Sequence, residues 1–231
     1  MISALSNHHL FGILLTVGLF YCGTWLRNRY QKSWINPLLI SVFSIVLILQ
    51  LVGISYDTYM KGAGIIHDFL GPVTVVLALP LYRQRMLLLK YKYAIMGGII
   101  SGVFASLVSV FVLARVFHLD ELLTRSLLPH SVTTPIGIAL TNSIGGVEGI
   151  TVVSIILTGL FGAMVGAGLL RVMRITHPVA RGLSLGTASH AIGTSKALEL
   201  GETEGAVSSL AMGVAAITTV LAVAVMQLAG W

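Results

Sequence analysis

Long uncharged apolar runs, parted by short basic loops, set the limits on this chain of 231 residues. It is 56% hydrophobic and only 10% charged, where a soluble domain carries about 25% charged residues. A bilayer-crossing helix needs about 20 mostly apolar residues. Six segments meet or approach that length: 8–26, 36–53, 66–82, 94–116, 150–170 and 206–230. The second and third are close to the lower limit. The expected fold is all-α, a polytopic membrane protein with one transmembrane domain over 1–231 and about six spans.

The net charge of +6 could suggest nucleic acid, but ten of the 14 Lys and Arg residues lie in three short loops. These are Arg27, Arg29 and Lys32; Arg83, Arg85, Lys90 and Lys92; and Arg171, Arg174 and Arg181. Such clustering marks cytoplasmic loops under the positive-inside rule. The lipid bilayer is the expected surrounding, and no nucleic-acid partner is expected. The N-terminus then lies outside and the spans alternate inward and outward. Residues 55–67 read as an outer loop with an Asp57–Lys61 pair at i,i+4. The opening MISALSNHHLF has no basic stretch before its apolar run, so the first segment is expected to be retained. Cys22, the single cysteine, is expected as a small buried residue. Residues 117–129 set Asp120, Glu121 and Arg125 against Leu122, Leu123, Leu127 and Leu128, which suggests an amphipathic helix lying at the interface.

Two further stretches sit at membrane depth yet do not read as membrane helices: 130–146 (HSVTTPIGIALTNSIGG) and 182–201 (GLSLGTASHAIGTSKALELG). Lipid offers no hydrogen bonds, so irregular polar backbone persists there only where it lines a cavity or is buried in protein. A matched pair of interruptions points to a transporter binding site. On the assigned topology the two enter from opposite faces as broken or re-entrant helices, an arrangement expected of inverted repeats. Repetition in sequence is faint: Val73-Thr74 loosely echoes Val132-Thr133. Glycines at 97, 98 and 102, and at 159, 162, 166 and 168, fall at spacings that allow close helix packing.

In the first stretch Pro135 suits the start of a helix, which puts Thr133 or Thr134 at the N-cap. A helix N-terminus gathers free N–H donors and attracts carboxylates and phosphates. Ser131, Thr133 and Thr134 add hydroxyls there, while Asn142 and Ser143 precede a turn at Gly145-Gly146. Alternatively these hydroxyls bond back along their own helix and only bend it. The second stretch carries Thr187, Ser189, His190, Thr194 and Lys196. Gly193 is the expected break, with Thr194 or Ser195 capping a short helix to Leu200. His190 can titrate near neutral pH and couple a proton to transport, or it can be a neutral packing residue. Lys196 could be an anion's counter-charge, or pair with Glu199 or Glu202. His130 lies near the outer mouth. Ser189 and His190 are adjacent and point about 100° apart on a helix, so they are no nucleophile–base pair. No nucleotide or metal motif occurs. No enzyme activity, cofactor or metal is expected.

At these stretches the chain closely resembles the LrgB/CidB family, including bacterial inner-membrane members of the YohK type. The resemblance rests on LLPHSVTTPIGIAL with NSIGG (127–146), ARGLSLGTASHAIGTSKALEL (180–200), EGAVSSLAM (204–212), NPLL (36–39) and GISYDTYMKGAG (53–64). It spans about residues 30–225. It implies one of two functions. One is modulation of murein hydrolase activity and autolysis with a small holin-like LrgA-type partner. The other is carriage of small 2-oxo or 2-hydroxy monocarboxylates (glycolate, glycerate, pyruvate or lactate). The residue reading reaches a small-anion carrier independently, and a homodimer moving in an elevator-like or rocking fashion is expected. Ser131, Thr133, Thr134 and Pro135 would hold a carboxylate from one side, with Thr187, Ser189, His190, Thr194 and Lys196 on the other. Asn142 and Ser143 would contact a substrate hydroxyl or oxo group.

Overall fold

The computed structural model describes residues 9–30, 37–69, 72 and 78–229. They fall into two compact units, Met1–Val76 and Leu77–Trp231.

The first unit holds α1 (His9–Tyr30), α2 (Pro37–Val52) and α3 (Tyr56–Asp68). Proline opens α2 at a position where no intrahelical N–H is lost. Gly53, with φ +71°, closes it. The residues expected as an outer loop, 55–67, are mostly helical. They form α3, which packs on α1 where Gly12 meets the backbone of Tyr59 and Ala63, and Thr16 Oγ1 lies 2.8 Å from the Tyr59 hydroxyl. Cys22, expected to be buried, is exposed. Gly12, Thr16 and Gly23 share the face of α1 that packs, and Cys22 lies about a quarter turn off it at 100° per residue. Of the expected third span only residues 66–69, 72 and 78–82 are described, and Val73-Thr74 lies outside the described residues.

The second unit runs through α4 (Ala78–Arg83), α5 (Arg85–Lys90), α6 (Lys92–Val116), α7 (Glu121–Leu127) and a 3-10 turn (Leu128–Ser131). It continues with α8 (Thr134–Ser143), α9 (Glu148–Val172), α10 (Pro178–Leu200) and α11 (Glu202–Leu228). Among the described residues α1, α6, α9 and α11 are long and apolar enough to cross a membrane, and α2 is a shorter apolar helix of 16 residues. The buried stripe of α6 (Ile95, Ile99, Val103, Leu107) joins Leu128, Leu140 and Val207 in one core. Phe104, Phe161 and Leu221 point outward and are exposed. Large apolar side chains exposed along most helices would be a liability in water and belong in lipid. The chain is an all-α polytopic membrane protein.

Two segments of this unit are helical hairpins. In α10, Ser189 (φ −135°, ψ 16°) and His190 (φ 40°, ψ −131°) leave the helical conformation. Gly193 packs directly on the Leu185 carbonyl, although eight residues of straight helix would hold them about 12 Å apart. The chain therefore reverses at Ser189-His190, with arms 178–188 and 191–200. Both arms lie on α11, since Gly186 and Thr194 each reach Ser208. The break is thus not at Gly193, which stays helical because it lets the arms close. Thr194 and Ser195 do not cap the second arm; their hydroxyls bond back to His190 and Ala191 carbonyls. At the open end, Arg181 Nη1 pairs with buried Glu204 at 3.6 Å.

The first hairpin is built from α7 and the 3-10 turn, a reversal at 132–134, and α8. Its open end is tied at several points. Arg125 Nη1 donates to Ile144 O at 3.1 Å, Val147 N–H donates to Ser126 Oγ at 2.8 Å, and Thr151 Oγ1 donates to Ser126 O at 2.8 Å. Residues 117–129 therefore do not form one amphipathic surface helix. Thr124, Ser126, Leu128 and Pro129 are buried as an arm of this hairpin, while Leu122 is exposed.

Candidate functional site

The two hairpin tips meet at the middle of α9. Along α8, Gly137 packs on Ile155, and Thr141 Oγ1 lies 2.7 Å from Thr151 Oγ1. The two helices thus run antiparallel, and the α8 N-terminus lies opposite residues near Thr158. The second hairpin reaches the same depth. His190 Nε2 lies 3.0 Å from Ile155 O. A carbonyl only accepts, so that nitrogen carries the proton. A Cβ at Gly159 would fall 2.6 Å from His190 Cε1, and Gly162 packs directly on Ser189 Oγ. These two glycines, expected to serve helix packing, clear the space that the tip occupies.

The same meeting point falls at the middle of α6. Gly98 faces Leu183 and Gly102 faces Thr187, so α6 follows the first arm of α10. One turn further, about 5.4 Å along, Ser106 Oγ donates to Ser131 Oγ at 3.3 Å and lies 3.2 Å from His130 Nε2. His130 Nδ1 donates to Leu127 O at 2.9 Å. The 3-10 turn packs against α10.

Hydroxyl bonding separates this region from the rest of the unit. Most Ser and Thr side chains bond back to a carbonyl three or four residues earlier, as Thr187 does to Leu183 O at 2.8 Å. Thr133, Thr134, Thr158, Thr176, Ser189 and Thr203 make no side-chain hydrogen bond among the described residues. Four of these six lie at the meeting point. Thr133 occupies the expected N-cap of α8, but its hydroxyl does not close the cap. The first backbone N–H groups of α8 stay unpaired within the helix, with Pro135 in its first turn. Ser189 is only 1% exposed. Its hydroxyl is nevertheless not among the fully sealed polar atoms without a partner, of which Arg181 Nε is the one found among the described residues.

Ser131, Thr133, Thr134, Pro135, Thr187, Ser189, His190 and Thr194 are thus brought to or beside the tips. Thr194 is already engaged by Ser208 Oγ at 2.9 Å. Asn142 and Ser143 are not there. They lie at the other end of α8, about 12 Å from its start. Asn142 Nδ2 donates to Glu148 at 2.7 Å, and Ser143 Oγ donates to Leu140 O at 2.7 Å. Lys196 lies down the second arm, paired with Glu199 at 2.7 Å. Thr158 was not singled out in the sequence. It sits in an apolar run, and its only signal is its i+7, i+3 and i−4 spacing to Thr151, Ile155 and Gly162, the face that meets both hairpins.

Long apolar helices around two helical hairpins, whose hydroxyl-bearing tips meet at the middle of α9, define a polytopic membrane protein. The chain belongs to the LrgB-like family, whose model matches residues 16–228. It is 37% identical over 222 residues to the antiholin-like protein LrgB of Bacillus subtilis (strain 168), covering 95% of this chain and 96% of that one. It is 38% identical over 216 residues to holin-like CidB proteins of Staphylococcus epidermidis RP62A and Staphylococcus aureus Mu50, covering 94% of each chain. No solved structure matches.

Proposed function

We propose that this protein is a secondary carrier of small monocarboxylates in the bacterial cytoplasmic membrane, working as a homodimer. The observation that carries the reading is the meeting of two hairpin tips, one from each end of α9, with unpaired hydroxyls and helix N–H donors between them. Donors aimed at one point in a low-dielectric interior suit an anion. Thr133, Thr134 and the backbone around Pro135 would hold the carboxylate from one side and Ser189 from the other, with His190, whose Nε2–H is given to Ile155 O, fixing the shape of that second tip. Thr187 and Ser131 lie beside them. Asn142, Ser143 and Lys196 stand off this centre and would act near its mouths. The specific acids, glycolate, glycerate, pyruvate and lactate, come from the family resemblance alone. The test is uptake of labelled pyruvate, glycolate and lactate by reconstituted protein. Saturable flux lost in Thr134→Val, with the fold intact, is the expected result. No flux with any of the acids would sink the reading.

A second reading is favoured by the names of the relatives given above: an antiholin-like or holin-like modulator of murein hydrolase activity and autolysis. It would act with an LrgA-like membrane partner. It predicts lysis phenotypes that survive substitution at the hairpin tips and fail when exposed apolar helix faces are altered. Carriage predicts the reverse.

A further inference from the structure

We infer that Thr158 forms the third wall of the anion site and reads a second oxygen on the carboxylate held there, an inference that rests on the carrier reading. Thr151, Ile155, Thr158 and Gly162 share one face of α9 at helical spacing. Ile155 touches Gly137 of the first hairpin and accepts from His190 of the second, and Gly162 seats Ser189. Thr158 lies between these contacts, half-buried, and its hydroxyl has no hydrogen-bond partner among the described residues.

Its neighbours explain why the partner would come from a ligand. A half-buried hydroxyl in a helix ordinarily bonds back to the preceding turn, as Ser154 does to Thr151 O at 2.8 Å on the same helix. Ser189, almost fully buried and equally unpartnered, is directed at the same stretch of α9. The α8 donors and the Thr133 and Thr134 hydroxyls present only one wall.

The chemistry of the ligand follows from the donor set. Backbone N–H groups recognise a carboxylate. A threonine hydroxyl donates and accepts, so it pairs with a hydroxyl or a keto oxygen equally. At Gly159 and Gly162 the space beside α9 is taken by His190 and Ser189 themselves. The ligand is a small carboxylate bearing a hydroxyl or oxo group beside the carboxyl. Asn142 and Ser143, engaged at the far end of α8, are not placed for that task.

The test uses purified full-length protein, with binding of glycolate, pyruvate and acetate measured by calorimetry. The wild type should favour glycolate and pyruvate over acetate. Thr158→Val should weaken glycolate and pyruvate about tenfold, the scale of one hydrogen bond to a buried polar group, and leave acetate unchanged. Thr158→Ser should restore the preference, and Thr203→Val, remote from the tips, should not alter it. If Thr158→Val does not fold, Thr158→Ala reads the same loss. Unaltered glycolate binding in the folded variant, or equal weakening of glycolate and acetate, overturns the assignment. Binding with no flux in proteoliposomes removes the carrier reading and leaves the Thr158 assignment to the variants. No binding of any acid by the wild type removes both.

Discussion

The two hairpins arrive at the same depth along α9 by opposite means. The first turns on residues whose side chains are left free: Thr133 at an N-cap its hydroxyl does not close, then Thr134 and Pro135. The second turns on residues that are locked. His190 takes a left-handed φ of 40° and is held by Ile155 O, Thr194 is tied to Ser208, and Gly193 lies on the Leu185 carbonyl. One tip offers unpaired donors, whereas the other spends most of its polar groups on its own shape. A rigid wall facing a donor-rich one is an arrangement in which a bound anion supplies missing partners mainly on one side, with Ser189 the unpaired hydroxyl on the other.

The largest expected effect tests the locked hairpin through its glycines. Gly193→Ala would drive a methyl into a backbone carbonyl that cannot swing aside, at a cost of about 3 kcal/mol. Gly137→Ala in the first hairpin meets only the end of the Ile155 side chain, which can rotate, so its cost should stay near or below about 1 kcal/mol. Denaturant unfolding in detergent compares the two. Equal losses would remove the distinction between hairpins.

His190 gives the next effect. Its conformation is costly for any residue with a Cβ, by about 1–3 kcal/mol. His190→Ala keeps that strain and leaves Ile155 O without the imidazole, at a cost of about 1–3 kcal/mol. His190→Gly loses the same bond but relaxes the backbone, so it should be the more stable of the two by roughly 1 kcal/mol. If thermal melting ranks alanine above glycine, the strained turn does not exist in the membrane protein as folded.

The smallest effect lies in the threonines. Thr194→Val breaks the bond to Ser208 and should cost about 1 kcal/mol. Thr134→Val breaks no hydrogen bond among the described residues and should shift stability by no more than about 0.5 kcal/mol, while flux falls. A Thr134→Val protein as destabilised as Thr194→Val would show that the Thr134 hydroxyl has an internal role and is not held for a ligand.

Much of this architecture was legible along the chain. Spans 94–116 and 150–170 lie within α6 and α9, and span 206–230 follows α11 as far as Leu228, because an apolar run of that length has few options in lipid. Pro135 fixed the start of α8 through its own ring geometry. Residues 55–67 and 117–129 were misread because both are short and mixed in polarity, and their helices are stabilised by partners distant in sequence: Gly12 and Thr16 for α3, Thr151 and Val147 for the α7 arm.

What the sequence determined alone was local: where helices are apolar enough to span, where a proline starts one, and where hydroxyls and glycines gather. The tertiary structure decided where the second break falls. Gly193 is the cheaper residue to bend, yet the chain bends at His190. The left-handed turn there is offset by a carbonyl on Ile155 and by the space above Gly159 and Gly162, some 30 residues earlier. A strained backbone is chosen only when distant contacts outweigh its local cost, and nothing in the order of residues 182–201 carries that balance.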